Sequence, residues 1–162
     1  MAAVSLADAT KEVARRDRVL AKAIARLGPL EHSSRDPDGP FGALARTIVC
    51  QQLAGRAAQA IYTRVRATVG AALTPQSLAA ASDERLRRAG LSANKLASLR
   101  DLAAKVGDGT VALTRSSVRS DDALIEQLTT VRGIGPWTAQ MYLLFQLRRH
   151  RRPLLLGVST ES

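Results

Sequence analysis

The chain is short of cysteine, of aromatic side chains and of long apolar runs, and each shortage closes off a class of protein. Cys50 is the single cysteine among 162 residues. A disulfide framework, a zinc knuckle and a cysteine-ligated iron–sulfur cluster each need several thiols, so none can be built within this chain. Sparse cysteine also points to a reducing compartment. The longest uninterrupted apolar run is Met141–Phe145, far below the roughly 18 residues of a bilayer-spanning helix. The first residues lack the apolar stretch of a secretion signal, and Asp8, Glu12 and Asp17 are out of place in a transit peptide. A soluble, intracellular protein is expected, with no membrane contact. Aromatics make up 3% of the residues, so no pocket here can be rich in rings.

What the chain does have is apolar bulk and positive charge. Apolar residues make up 46%, too many for a disordered chain. A chain of this length buries roughly 70% of its unfolded surface. Lysine and arginine total 24 against 14 acids, a net charge of +10. The excess is uneven: residues 41–120 hold twelve bases and four acids, whereas residues 1–40 and 121–162 are each one charge from neutral. A concentrated positive segment fits a polyanionic partner, most simply nucleic acid. Twenty of the bases are arginine. In an alanine-rich chain that skew also arises from codon composition, which would leave only a solvated surface.

Helical periodicity covers nearly the whole chain and no run alternates with period two, so the predicted class is all-α. Val13, Leu20, Ile24 and Leu27 predict one helix over residues 8–27, ended by Gly28-Pro29. A polar, turn-rich loop follows. Phe41, Leu44, Ala45, Ile48 and Val49 form a buried stripe that runs into Gln51-Gln52-Leu53-Ala54-Gly55. A third helix is expected over about 56–69. Thr74-Pro75, Ser82, Ser92 and Ser120 read as helix starts. Residues 1–40 are expected to be an N-terminal helix and loop packing on the core, and residues 41–162 the main helical domain.

The most informative stretch is 124–147. A helix ends near Thr129, Val131-Arg132-Gly133-Ile134-Gly135 follows, and Pro136 opens a second helix to about Leu147. Glycine reaches backbone angles closed to other residues, and at Gly133 and Gly135 it also lets a ligand approach the main chain. Free N–H groups at the start of the second helix face the same turn. A phosphate, or a monovalent cation bridged to one, suits that place. Ile134 would tuck between the helices. This is a helix-hairpin-helix signature with its hairpin at about 129–137, which grips nucleic-acid backbone rather than reading bases.

Three blocks together carry a resemblance: FGALARTIVCQQLAGRAAQAIYTRV (41–65), GLSANKLASLRDLAAKVGDG (90–109) and LTTVRGIGPWTAQMYLLFQL (128–147). In this order they resemble the helix-hairpin-helix (HhH-GPD) DNA glycosylase superfamily. Residues 135–139, Gly-Pro-Trp-Thr-Ala, are similar to its alkylbase branch, the 3-methyladenine DNA glycosylase II type. The resemblance covers about residues 18–158. It implies an all-α glycosylase core and a base excision repair enzyme that flips an alkylated, 3-methyladenine-type base from the duplex and hydrolyses its N-glycosidic bond. It implies DNA-backbone contacts at Arg132, Gly133, Ile134 and Gly135, with a hydroxyl from Thr138. It places a base-flipping wedge at Gln52 and Leu53, with Gln51 beside them. On their own residue types, Leu53 reads equally as core and the glutamines as ordinary loop polars. Trp137 stands where bifunctional members carry a Schiff-base lysine; indole cannot do that chemistry, so the implied enzyme is monofunctional. Trp137 is then a pocket or a packing residue. No metal or cofactor is implied beyond a monovalent cation at the hairpin. The implied partner is double-stranded DNA containing damaged bases, bound by a monomer in the cytoplasm, nucleoid-associated.

The pattern departs at the C-terminal end. The family's catalytic aspartate, which steadies the oxocarbenium charge or activates water, stands just before Leu-Gly-Val. Here the text is Pro153-Leu154-Leu155-Leu156-Gly157-Val158, which puts Leu155 in the aspartate's place. Residues 129–160 contain no Asp or Glu, so no catalytic residue is assigned. The family's further C-terminal helices are missing, and the end reads as truncated or frame-altered. The competing expectation is a non-catalytic helix-hairpin-helix DNA-binding protein or an inactive fragment. A helical interaction protein with codon-biased arginines is the third.

Overall fold

The structure, a computed structural model, describes residues 5–28, 36–70, 72–113 and 120–147. Among them every regular element is a helix, as the periodicity predicts, and no helix is long and apolar enough to cross a membrane. The chain divides into two compact units.

The first unit contains α1 (Leu6–Arg16) and α2 (Arg18–Leu27). Sequence periodicity predicts one continuous helix here, and the structure corrects that. Asp17 leaves the helical conformation at φ −131° and ψ 113°. Its N–H closes α1 on the Val13 carbonyl, while its carboxylate accepts the Val19 and Leu20 N–H groups that open α2. A short acidic side chain that can satisfy the next helix's free donors competes with helix continuation.

The second unit holds α3 (Gly39–Cys50), α4 (Gly55–Val69), α5 (Pro75–Ala80), α6 (Asp83–Arg88), α7 (Ala93–Gly107), α8 (Asp121–Thr129) and α9 (Pro136–Phe145). The expected caps at Thr74, Ser82, Ser92 and Ser120 each accept a backbone N–H. The core is a single apolar cluster with Leu44, Ile48, Leu86, Leu99, Leu124 and Leu128 fully buried. α3 runs through it against α4, α7 and α9, and α7 is packed by α5 and α6 as well.

Much of the basic middle segment works inside this fold. Arg100 bridges α7 to α5 and α6, donating to the carbonyls of Leu78 and Ala81 and pairing with Asp83. Arg64 donates to the Ala89 carbonyl and Arg85 to that of Thr68. Beside the start of α3, buried Asp38 pairs with Arg66, and the Arg46 guanidinium lies 5.5 Å from the Tyr62 ring centre. Burial and the Asp36 and Asp38 carboxylates push the Tyr62 hydroxyl well above its ordinary pKa.

Gly42 is what allows the acidic pair to sit so close to α3. A Cβ at this position would stand 2.3 Å from the Asp38 Cβ and 2.8 Å from Asp36 Oδ1. Gly42→Ala is therefore expected to destabilise the protein by about 1–3 kcal/mol through overpacking, seen as a lower urea midpoint with an unchanged slope.

Candidate nucleic-acid interface

The hairpin joins α8 to α9 through residues 130–135. Thr130 and Val131 continue the turn with N–H bonds to Gln127 and Leu128, and the Ile134 N–H closes it on the Val131 carbonyl at 3.0 Å. Ile134 and Val131 are buried, so Ile134 is the plug its sequence position suggests. Arg132, Gly133, Gly135, Pro136 and Trp137 are exposed. Trp137 is 62% exposed, and Thr138 is buried in the same first turn of α9.

The two glycines are not equivalent, although the sequence offers both the same freedom. Gly133 has φ +80°, a left-handed backbone. Gly135 has φ −93° and ψ 175°, ordinary extended backbone. It is the N-cap of α9, and no side chain caps that helix. The N–H groups of its first turn therefore keep the anion-attracting character expected of a helix start.

Helix α7 holds the hairpin in place with polar side chains. The Asp101 carboxylate accepts the Arg132 backbone N–H at 2.7 Å and the Lys105 ammonium at 2.9 Å. Lys105 also donates to the Thr130 carbonyl. The Arg132 guanidinium reaches Asn94 Oδ1 at 3.2 Å. Burial pushes the Asp101 pKa up, but the Arg132 N–H and Lys105 outweigh it and hold the carboxyl below its ordinary value.

The second surface is the turn between α3 and α4. Gln52 and Leu53 are both exposed, Leu53 at 36%. Leu53 is thus not a core residue. Gln51 turns the other way: its Nε2 donates to the Gly133 carbonyl at 2.9 Å. Lys95 Nζ donates to the carbonyls of Val49 and Gln51 at 2.6 and 2.9 Å, and burial lowers its pKa. The two surfaces predicted separately are therefore adjoining and bonded to each other. Sequence reasoning missed Asn94, Lys95, Ser98, Asp101 and Lys105. Their one signal was a polar stripe on α7, which looks like any solvated helix face. Leu155 lies outside the described residues.

Residues 45–153 match a family model described as HhH-GPD superfamily base excision DNA repair protein. The chain belongs to the HhH-GPD superfamily. As such it is 35% identical over 119 residues to DNA-3-methyladenine glycosylase 1 of Schizosaccharomyces pombe, covering 72% of this chain and 52% of that protein. The chain thus spans about half the length of that curated relative. Among solved structures it is similar to a DNA-3-methyladenine glycosidase of Bacillus halodurans, with 36% identity and a TM-score of 0.74 over 90% of this chain and 67% of that one. It is also similar to a 3-methyladenine DNA glycosylase of Schizosaccharomyces pombe in complex with abasic DNA, with 30% identity and a TM-score of 0.78 over 87% and 70%.

Two outcomes test this geometry in the HhH-GPD chain. Gly133→Ala forces a left-handed alanine and sets its Cβ 2.9 Å from Ser98 Oγ, so it should cost about 1–3 kcal/mol of stability, whereas Gly135→Ser should cost little. Asp101→Asn should lower stability at neutral pH. The wild-type carboxylate, with its pKa lowered on folding, stabilises above the ordinary carboxylate value of about 4 and loses that contribution as pH falls through its folded value. The gap between wild type and variant in urea melts should therefore close toward acid.

Proposed function

We propose that this chain acts on double-stranded DNA containing damaged bases as a base excision repair glycosylase. It hydrolyses the N-glycosidic bond of alkylated, 3-methyladenine-type bases after flipping them from the duplex. The observation that carries the reading is the bond from Gln51 to the Gly133 carbonyl, which sets a wedge-like loop beside a backbone-gripping hairpin. The names of the similar proteins support the same chemistry. The hairpin would hold a phosphate at Arg132, Gly133 and Gly135 against the uncapped start of α9, with a monovalent cation shared there. Gln52 and Leu53 would enter the stack. Trp137 offers no amine for a Schiff base, so the product is an abasic site on an unbroken strand. The site of action is wherever the cell keeps its DNA.

An N3- or N7-alkylated purine carries positive charge and departs as a neutral base. Its leaving group needs no protonation, which lowers the demand on acid catalysis. Leu155, in the position where the resemblance implies a carboxylate, makes the non-catalytic reading the competitor.

Methylated duplex incubated with the purified chain separates the two. The expected result is released 3-methyladenine, seen by chromatography, from strands that stay intact until alkali. Salt-dependent binding without release, with release appearing only in Leu155→Asp, would instead identify a non-catalytic module. Gly135→Asp should weaken abasic-duplex binding about tenfold or more through charge repulsion, in a protein that still folds, since aspartate is a favoured residue at an extended N-cap.

A further inference from the structure

Gln52 has φ 57°, the one positive value at a non-glycine among the described residues. Such a backbone persists where its surroundings over-determine it. Two side chains do so here. Lys95, in the first turn of α7, donates to the Val49 and Gln51 carbonyls. It thereby satisfies acceptors that the end of α3 leaves free and fixes the residue just before Gln52. Gln51 then donates its Nε2 to the Gly133 carbonyl. Gly133 itself lies against Ser98 of the same α7, with no room for a Cβ between them. Loop and hairpin are thus tied to each other and to one helix. The tip of the loop, Gln52 and Leu53, stays exposed.

We propose that Lys95 and Gln51 are positioning residues that fasten the loop of residues 51–54 to the hairpin, so that wedge and backbone grip meet DNA as one rigid piece. The inference rests on the repair reading above. Neither residue needs to touch DNA. Lys95 points its ammonium inward at carbonyls, and Gln51 uses its amide on the hairpin. With the fastening intact, a duplex held at the hairpin meets Gln52 and Leu53 at a fixed distance and depth. With it broken, the grip remains and the preference for a distorted, easily unstacked site declines.

The test uses the whole chain as Lys95→Met, Lys95→Arg and Gln51→Met. The methionine is of similar length, adds no charge and offers the Gly133 carbonyl no donor. Affinity is measured for an undamaged duplex and for the same duplex carrying a tetrahydrofuran abasic analogue, across a salt series. Backbone amide exchange is followed at Leu53 and Ile134, both hydrogen-bonded in the structure. Lys95→Met and Gln51→Met should leave undamaged-duplex affinity within about twofold and the salt slope unchanged. They should cut the preference for the abasic duplex about five- to tenfold and speed exchange at Leu53 and Ile134 together. Lys95→Arg, which can still donate to both carbonyls, should restore the preference. A salt slope lowered by about 0.9 in Lys95→Met would make Lys95 a phosphate ligand and overturn the proposal. So would exchange that changes at Leu53 alone, or a preference that neither Lys95→Met nor Gln51→Met alters. If the unmodified chain binds neither duplex, the repair reading fails, and the exchange result still decides whether the fastening exists.

Discussion

The space above the Ser98 hydroxyl sets the geometry that the rest of the site follows. A Cβ at residue 133 would stand 2.9 Å from Ser98 Oγ, so the hairpin comes down onto α7 only because residue 133 is glycine in a left-handed conformation. That approach brings the Arg132 N–H within reach of Asp101 and the Thr130 carbonyl within reach of Lys105. It also leaves the Gly133 carbonyl facing Gln51. Asn94, Ser98, Asp101 and Lys105 are spaced i, i+4, i+7, i+11, which places them on one face of α7. Leu96, Leu99, Leu102 and Ala103 bury another face, and Arg100 ties a third to α5 and α6. The hairpin rests on a helix that has little freedom to move.

The positive charge of the middle segment has a partly different meaning from the one its concentration suggests. Arg64, Arg85, Lys95 and Arg100 donate to carbonyls at or near the ends of helices, and Arg66 and Lys105 pair with acids inside the same unit. Long basic side chains are suited to closing short helices whose last carbonyls lack partners. A fold with six-residue helices such as α5 and α6 has many such ends for its length. The charge is not cancelled by carbonyl partners and still contributes to a positive field. Its sequence position, however, reports helix ends at least as much as it reports a DNA surface.

How much could be read in advance follows from the range of the interactions. The caps at Ser82, Ser92 and Ser120, the stripe of α3 and the Gly-x-Gly turn are local patterns with fixed spacing, and the structure has them where the sequence places them. The break at Asp17 was local too, but it was outvoted by an apolar periodicity that continues across it. Which glycine takes the left-handed backbone was not legible, because a side chain thirty-five residues away decides it. The same holds for Lys95, Gln51 and Asp101. Their roles lie in bonds spanning 31 to 82 residues, and nothing local marks them. The first two blocks of the family resemblance pointed to the right segments without saying that one is bonded to the other.

The energetic weight of that connection can be set against the base flipping proposed for this chain. Flipping a base costs a few kcal/mol, least where pairing is already poor. Contacts to phosphate are blind to sequence and lesion, so binding free energy from the grip has to be turned into unstacking at one place. A wedge loop disordered in the free protein would have to be ordered on binding, at about 1–2 kcal/mol per residue. For the four residues of this loop that is about 4–8 kcal/mol, as large as the flipping cost or larger. On the proposed reading, α7 holds Gln51 and its neighbours in place before DNA arrives, which would move that entropy loss from binding into folding, where the buried leucines of the core offset it. The left-handed Gln52 shows that the loop already holds a strained backbone before any DNA is bound.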